Sequence, residues 1–362
     1  MSCLKKVSLS VVALAVSATV FAASDMDTRV RDLEKQMKQV RTETSAKTFG
    51  ARTASARPDM DTSGFFLSFD VLYWQAKTGG TEYCYTNSSL TPASTAVLPI
   101  TGNVKELDFS KWDWGFRVGA GYNFEHGDWD IYANYTYFTD NNSTITTAAT
   151  VHPVNFRHIV SNTLTATGVT KATSQLKFGF NRIDVELGRD FFVERYLSLR
   201  PHIGLMTAWI TQNQRSQYTG GDLGLNTVTV KQNNSYWGIG PRMGMNTKWF
   251  SCNGFSILGN VSGGLPYGRF DMDYDQEFSV DSETNDIDLD GDMHRFTPTV
   301  QMQLGFGYDT TVSCNNQISL FLAWDIQYWW RASQHIVREL DYARLGEDMS
   351  LQGLTFHIQW GF

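Results

Sequence analysis

An all-β fold, an antiparallel transmembrane β-barrel of about ten strands behind one short helix, follows from three features of this sequence. From Gly64 to the C-terminus, large apolar residues alternate with small or polar ones in ten successive segments, and a period of two marks strands with one greasy face. Beyond residue 22 no stretch approaches the roughly 18 consecutive apolar residues of a membrane helix, so any membrane span is built of strands. Short and long connections alternate between the segments, the layout of a barrel with turns on one side of a membrane and loops on the other.

Residues 1–22 read as a secretory signal: Lys5 and Lys6, an apolar run from Val7 to Phe21, and a small-residue cleavage pattern ending at Ala22. Cys3 precedes the apolar run, too early for a lipoprotein cysteine. Residues 23–63 are read as a periplasmic helix and linker. Val30, Leu33, Met37 and Val40 form one apolar seam between Asp25 and Thr44, short enough to suit either a small coiled coil or a marginal amphipathic helix. Residues 64–362 supply the barrel. Aromatics at 14 % with 11 Trp, and 30 Gly against 8 Pro, suit aromatic girdles and small lumen-facing residues. A net charge of -7 excludes the basic stripe that nucleic acid needs.

The first segment puts Phe65, Leu67, Phe69, Val71 and Tyr73 on one face, opposite Ser68, Asp70 and Gln75. In the second, Trp112 to Phe124, the opposite face carries Asp113, Gly115, Arg117, Gly119, Gly121 and Asn123. Trp129 to Phe138 is the third. The fourth, Lys177 to Phe191, changes phase between Phe180 and Ile183, which reads as a bulge near the outer rim. In the fifth, Leu197 to Trp209, and the sixth, Trp237 to Trp249, Arg200, His202, Arg242 and Asn246 take the non-apolar face. The seventh spans Phe255 to Tyr267 and the eighth Phe296 to Tyr308. The ninth, Ile318 to Trp329, carries Asp325 and Gln327 on its polar side, with Phe321 and Trp329 as exceptions. The tenth sets Leu354, Phe356, Ile358, Trp360 and Phe362 against Thr355, His357, Gln359 and Gly361.

Connections at 125–128 and 250–254 are short, and those at 76–111, 139–174, 210–235, 268–294 and 331–350 are long. An even strand count with that alternation points to an outer-membrane barrel with periplasmic turns and extracellular loops. The count becomes twelve if the first or second long loop hides a hairpin. Aromatics at the segment ends, such as Tyr73, Trp209, Trp237 and Trp249, match headgroup belts.

Three stretches carry a family resemblance. The run Gly64 to Ala76 (GFFLSFDVLYWQA), the run Trp114 to Phe124 (WGFRVGAGYNF) and the terminal Phe362 together resemble the Legionella-type major outer membrane protein family, which includes chlamydial major-outer-membrane-protein-like porins. The resemblance implies a β-barrel pore with structural weight in the bacterial outer membrane, and a last strand read by the barrel-assembly machinery. It carries over no catalytic residue.

Lumen-facing charges are the functional candidates: Asp70, Arg117, Arg242 and Asp325 near mid-membrane with His357 beside the first strand, Arg200 toward the periplasm, and Arg295 toward the outside. Opposed acids and bases across a narrow lumen either select small polar solutes or pair and plug the barrel, and both readings stay open. The stretch 271–292 is acidic. Asp286-Ile287-Asp288-Leu289-Asp290-Gly291 opens like a calcium loop, but Thr297 stands where the bidentate Glu belongs, so a solvated acidic loop is the reading. Cys252 and Cys314 lie in neighbouring Ser-Cys-Asn turns and could bridge within one chain or between chains, while Cys84 is a free or intermolecular thiol.

The function expected is a porin for small hydrophilic solutes or ions. The alternative is a structural or adhesive barrel with a plugged lumen. A protease of the omptin type is a weaker third reading, since Asp292, His294 and His158 form no paired constellation. No enzyme activity, cofactor or metal is expected. Lipid, the assembly machinery and small solutes are the expected partners, and a homo-oligomer is left open.

Overall fold

The computed structural model describes residues 64–87, 102–124, 128–155, 168–194, 196–251, 254–280, 283–313, 316–338 and 342–361. The signal, the helix at 25–44, Cys252, Cys314 and Phe362 lie outside the described residues. Ten wall strands run antiparallel: β1 (Gly64–Thr78), β2 (Asp113–Asn123), β3 (Trp129–Pro153), β4 (Val169–Arg189), β5 (Leu197–Thr219), β6 (Thr227–Phe250), β7 (Phe255–Gly264, resuming as Tyr267–Val280), β8 (Glu283–Phe296, resuming as Thr299–Ser313), β9 (Asn316–Arg338) and β10 (Tyr342–Gly361). Each pairs with its chain neighbours, and β10 closes on β1 from Phe66↔Gly361 to Thr78↔Met349. Over the membrane section the result is a closed ring, the condition for a sheet in lipid.

The outward faces are those the alternation predicts. Phe65, Trp114, Ile203, Leu304, Phe306 and Trp360 are exposed, whereas Ser68, Asp70, Arg117, Arg200, Asp325, Thr355, His357 and Gln359 are buried inside. Gly121 is needed for that interior: a Cβ there would lie 2.1 Å from the Phe66 ring, which stacks on Tyr132.

Three expectations are corrected: the long loops, the acidic loop and the bulge. Most of the long loops are strand: β3 runs to Pro153, β5 to Thr219 and β9 to Arg338, so the walls continue well past the apolar band. The acidic stretch is likewise a hairpin within β7 and β8, with Asp271↔Asp292, Asp273↔Asp290 and Asp275↔Asp288 opposed in register. The first long loop does hold a hairpin, Cys84–Asn87 with Gly102–Lys105, but it pairs with the far end of β3 and leaves the ring at ten. The bulge expected in β4 is absent, because its pairing with β3 and β5 is unbroken from Lys171 to Gly188 across the two ladders.

The phase change has another cause. Leu176, Phe178 and Phe180 point inward and are buried, as do Arg182, Asp184 and Glu186 further down the same face, while Ile183, Val185 and Leu187 point out and are exposed. Above Phe180 the apolar side of the strand is the inside. A core of Leu72, Trp74, Phe138, Phe180, Met206, Ile210, Phe270, Trp329 and Leu351 fills the barrel there, and a second cluster around Tyr83, Val151, Tyr218 and Val230 lies beyond it. Trp329, an exception to the sequence alternation, is an inward residue of this core and meets Phe180 edge-on at 5.7 Å. Each such side chain removed from water contributes about 1.5–3 kcal/mol, so this outer section is held by an ordinary hydrophobic core.

Candidate functional site

Below the apolar core the lumen is filled with charge. Asp70 on β1 lies across from Arg117 on β2 in register, and the Arg117 guanidinium bonds Asp70 at 2.9 Å, approaches Asp325 of β9 at 3.5 Å and donates through Nε to Thr136 at 3.0 Å. His357 of β10 is opposite Asp70 on its other side and shares a hydrogen bond with it through Nδ1, while its ring stacks on Phe321. A second knot is centred on Asp184 of β4, which takes Arg182 Nε at 2.9 Å and Arg242 Nη1 of β6 at 2.6 Å. Gln301 of β8 ties the two together, donating to Asp325 at 2.9 Å while its amide oxygen accepts from Arg182 and Arg242.

Toward the periplasmic end, Arg200 of β5 engages both oxygens of Asp130 and reaches Glu186 at 3.3 Å. Gly188 makes room for this: a Cβ at that position would stand 2.4 Å from Arg200 Nε. Lys248 and Asp309 form a further pair at 2.6 Å, with Ser319 donating to the same carboxylate.

These pairs are nearly dry. Arg200 is 0 % exposed, Asp184 0 %, Arg182 2 % and Asp325 1 %. Taking single charges out of water costs several kcal/mol each, and only partnered charges can be kept at such depth. Among the described residues a cavity of about 70 Å³ lies within this network, bounded among others by Arg117, Arg182, Arg242, Asp184, Asn246 and Gln303. A polar chamber of that size has room for water.

Of the seven residues singled out in the sequence, Asp70, Arg117, Arg242, Asp325 and His357 come together in the mid-lumen network, and Arg200 joins it through Glu186, which lies 3.9 Å from Arg242. Arg295 does not: it sits at the base of the outer section, opposite Gly268. Sequence reasoning missed Arg182, Asp184 and Glu186, although their i, i+2, i+4 spacing on β4 places them on one face. Reading the phase change as a bulge hid that signal. Cys84 is buried among Tyr83 and Val151, and burial pushes its thiol up to about 11, so among the described residues there is no exposed thiol for an intermolecular bridge. Asp292 and His294 are exposed on the outer face of the acidic hairpin, among the described residues without a catalytic grouping.

A family model described as Legionella pneumophila major outer membrane protein precursor matches residues 57–362. No curated protein matches the chain by sequence. Among solved structures, the outer membrane protease OmpT from Escherichia coli is similar at 11 % identity over 83 % of this chain and 96 % of its own, with a TM-score of 0.39. The Pseudomonas putida toluene transporter TodX is similar at 7 % identity over 88 % of this chain and 93 % of its own, with a TM-score of 0.27. Ail, the attachment invasion locus protein of Yersinia pestis, is similar at 11 % identity over 83 % and 98 %, with a TM-score of 0.23. At these values none of the three bears on what this chain does.

Proposed function

Since the chain belongs to the Legionella pneumophila major outer membrane protein family and is a β-barrel of the bacterial outer membrane, we propose that it serves there as a structural barrel with a lumen closed to solutes. The observation that supports this is the stacking of two different seals in one bore. A layer of paired charges fills the membrane section, and Trp74, Phe138, Phe180 and Trp329, none more than 1 % exposed, fill the bore above it. A hydrophilic solute would have to break buried ion pairs and then cross an apolar layer, each step costing several kcal/mol.

Planar-bilayer recording of refolded protein tests the proposal. Silence, with heat-modifiable migration proving the barrel folded, is the expected outcome; discrete ohmic steps would overturn it.

A porin for small hydrophilic solutes is the second reading, and one observation favours it. The 70 Å³ chamber is lined by Asn134 Oδ1, Gln303 Nε2 and His357 Nε2, buried polar atoms with no protein partner, which are groups that water would satisfy. This reading requires the apolar layer to open, and it predicts that an Arg117→Glu exchange changes ion preference. We propose no catalytic role, and the polar outward surface of the outer section leaves an adhesive one compatible with the closed bore.

A further inference from the structure

The outward surface of β4, β5 and β6 changes character within a few residues. Ile183, Leu205 and Ile239 face lipid, and Trp209 and Trp237 stand opposite one another as the last large apolar groups on β5 and β6. Beyond them the outward positions of these three strands are Gly179, Lys177, Gln175, Thr211, Asn213, Arg215, Ser235, Asn233 and Lys231. Lys177 is paired with Asn213 and Gln175 with Arg215, so the two cations are diagonal neighbours on one face, about 7–8 Å apart. Both are exposed, and no ion pair joins either to another described residue. Lys231, paired with Arg215 in register, is instead taken by Asp275 at 3.0 Å and by Glu277, so these two carboxylates of the neighbouring hairpin are already partnered. At about 3.4 Å per residue and a tilt of about 40°, Lys177 and Arg215 stand on the order of 10–15 Å above the Trp209 row, and their long side chains reach back toward it.

We propose that Lys177 and Arg215, with the Asn213 amide between them, bind a phosphate of the glycolipid that forms the outer leaflet around the barrel. Two arguments point to this occupant. The site is continuous with the lipid-facing surface and lies directly above its aromatic border, where an anionic head region meets the wall. It also offers two separated cations and an amide donor, the complement of one phosphate, on a rigid part of the sheet. The charge is therefore placed to hold an annular lipid, and Trp209 and Trp237 hold the glycolipid's acyl and sugar boundary beneath it.

The full-length barrel, refolded in zwitterionic detergent, is titrated with deep-rough lipopolysaccharide and bound lipid is counted by native mass spectrometry. A cation near an anionic surface contributes roughly fivefold in affinity, so the K177A/R215A double variant should bind about 30-fold more weakly than wild type. A K105A/K111A double variant, which removes the same charge from exposed positions elsewhere, should bind as wild type does. Lipopolysaccharide stripped of phosphate should bind wild type and K177A/R215A alike and weakly. Wild-type affinity in K177A/R215A, an equal loss in K105A/K111A, or undiminished binding of the phosphate-free lipid would each overturn the assignment. So would loss of a barrel dimer in K177A/R215A with lipid binding intact, which would give the two cations to a second copy of the chain.

Discussion

The membrane section and the outer section of this barrel are built from continuous strands with opposite polarity. On β4, Arg182, Asp184 and Glu186 point inward while Ile183, Val185 and Leu187 meet lipid; a few residues on, Phe178 and Leu176 point inward while Lys177 and Gln175 meet water. The backbone ladder runs through this inversion without a shift. A strand has no polarity of its own, and the medium on each side selects what each alternate residue must be. The membrane section stabilises itself with ion pairs because its outside is already apolar. The outer section, bathed in water, needs a hydrophobic core like any soluble barrel, and that core is what closes the bore.

The largest effect expected from breaking this comparison comes from a charge placed on the wrong side of the inversion. Phe180→Arg puts an unpaired cation into the apolar layer beside Trp329 and should cost more than about 4 kcal/mol, seen as loss of heat-modifiable folding or a collapsed urea midpoint in vesicles. Ile183→Arg, three residues away but facing lipid, should cost about 2–4 kcal/mol and less where the site lies near the interface. An equal or reversed order would show that Phe180 does not face a dry interior.

Asp70→Ala takes the shorter of two ion pairs from Arg117, leaving it Asp325 at 3.5 Å, and the carboxylate partner from His357, and should cost on the order of 3 kcal/mol. The double variant D70A/R117A removes the under-compensated cation, while Asp325 keeps Gln301, and should recover part of that loss. A double variant as unstable as the sum of the singles would mean that the pair is not coupled in the folded barrel.

The outer section should also respond to acid. His335 lies in it, buried beside Gly79 with Ser333 Oγ 2.8 Å from its Nε2, and burial pushes its pKa down from 6.5 to about 4. The folded state therefore holds fewer protons than the unfolded one between these values. The stabilisation is complete above about pH 6.5, falls as the pH drops toward 4, and is diminished by on the order of 3 kcal/mol below that. Protection factors of the β9 and β10 amides, corrected for the intrinsic pH dependence of exchange, should fall as the pH drops through that window in wild type and lose the dependence in His335→Gln. Protection factors that are flat with pH in wild type would remove His335 from the account.

The smallest effect lies at the border between the sections. Arg331 has φ 53, and the β9–β10 register shifts between Trp329 and Ser333 around it. Arg331→Gly should raise stability by at most about 1 kcal/mol, since glycine adopts that conformation without strain. A clear destabilisation in urea melts would indicate that the Arg331 side chain carries a contact of its own.

Much of this was legible in the sequence. The ring of ten strands, its inward and outward faces in the membrane and the grouping of Asp70, Arg117, Arg242, Asp325 and His357 all follow from period-two alternation, because lipid enforces it strictly. The outer section was harder. Its strands alternate just as regularly, but with Thr, Asn and Gln outside and single aromatics inside, and a search for outward apolar residues takes such stretches for loops. The same habit turned Phe178 and Phe180 into a bulge and hid the carboxylates of Asp184 and Glu186. Whether paired charges seal or conduct depends on distances and burial, which alternation does not encode.

The inversion itself can be measured by placing spin labels one at a time along residues 175–187 of β4 and comparing collision with oxygen and with a water-soluble nickel complex. Labels at 183, 185 and 187 should favour oxygen, labels at 175 and 177 should favour nickel, and labels at 178 and 180 should be reached by neither. Nickel access at 178 and 180 would mean a water-filled bore, and the closed barrel would be contradicted.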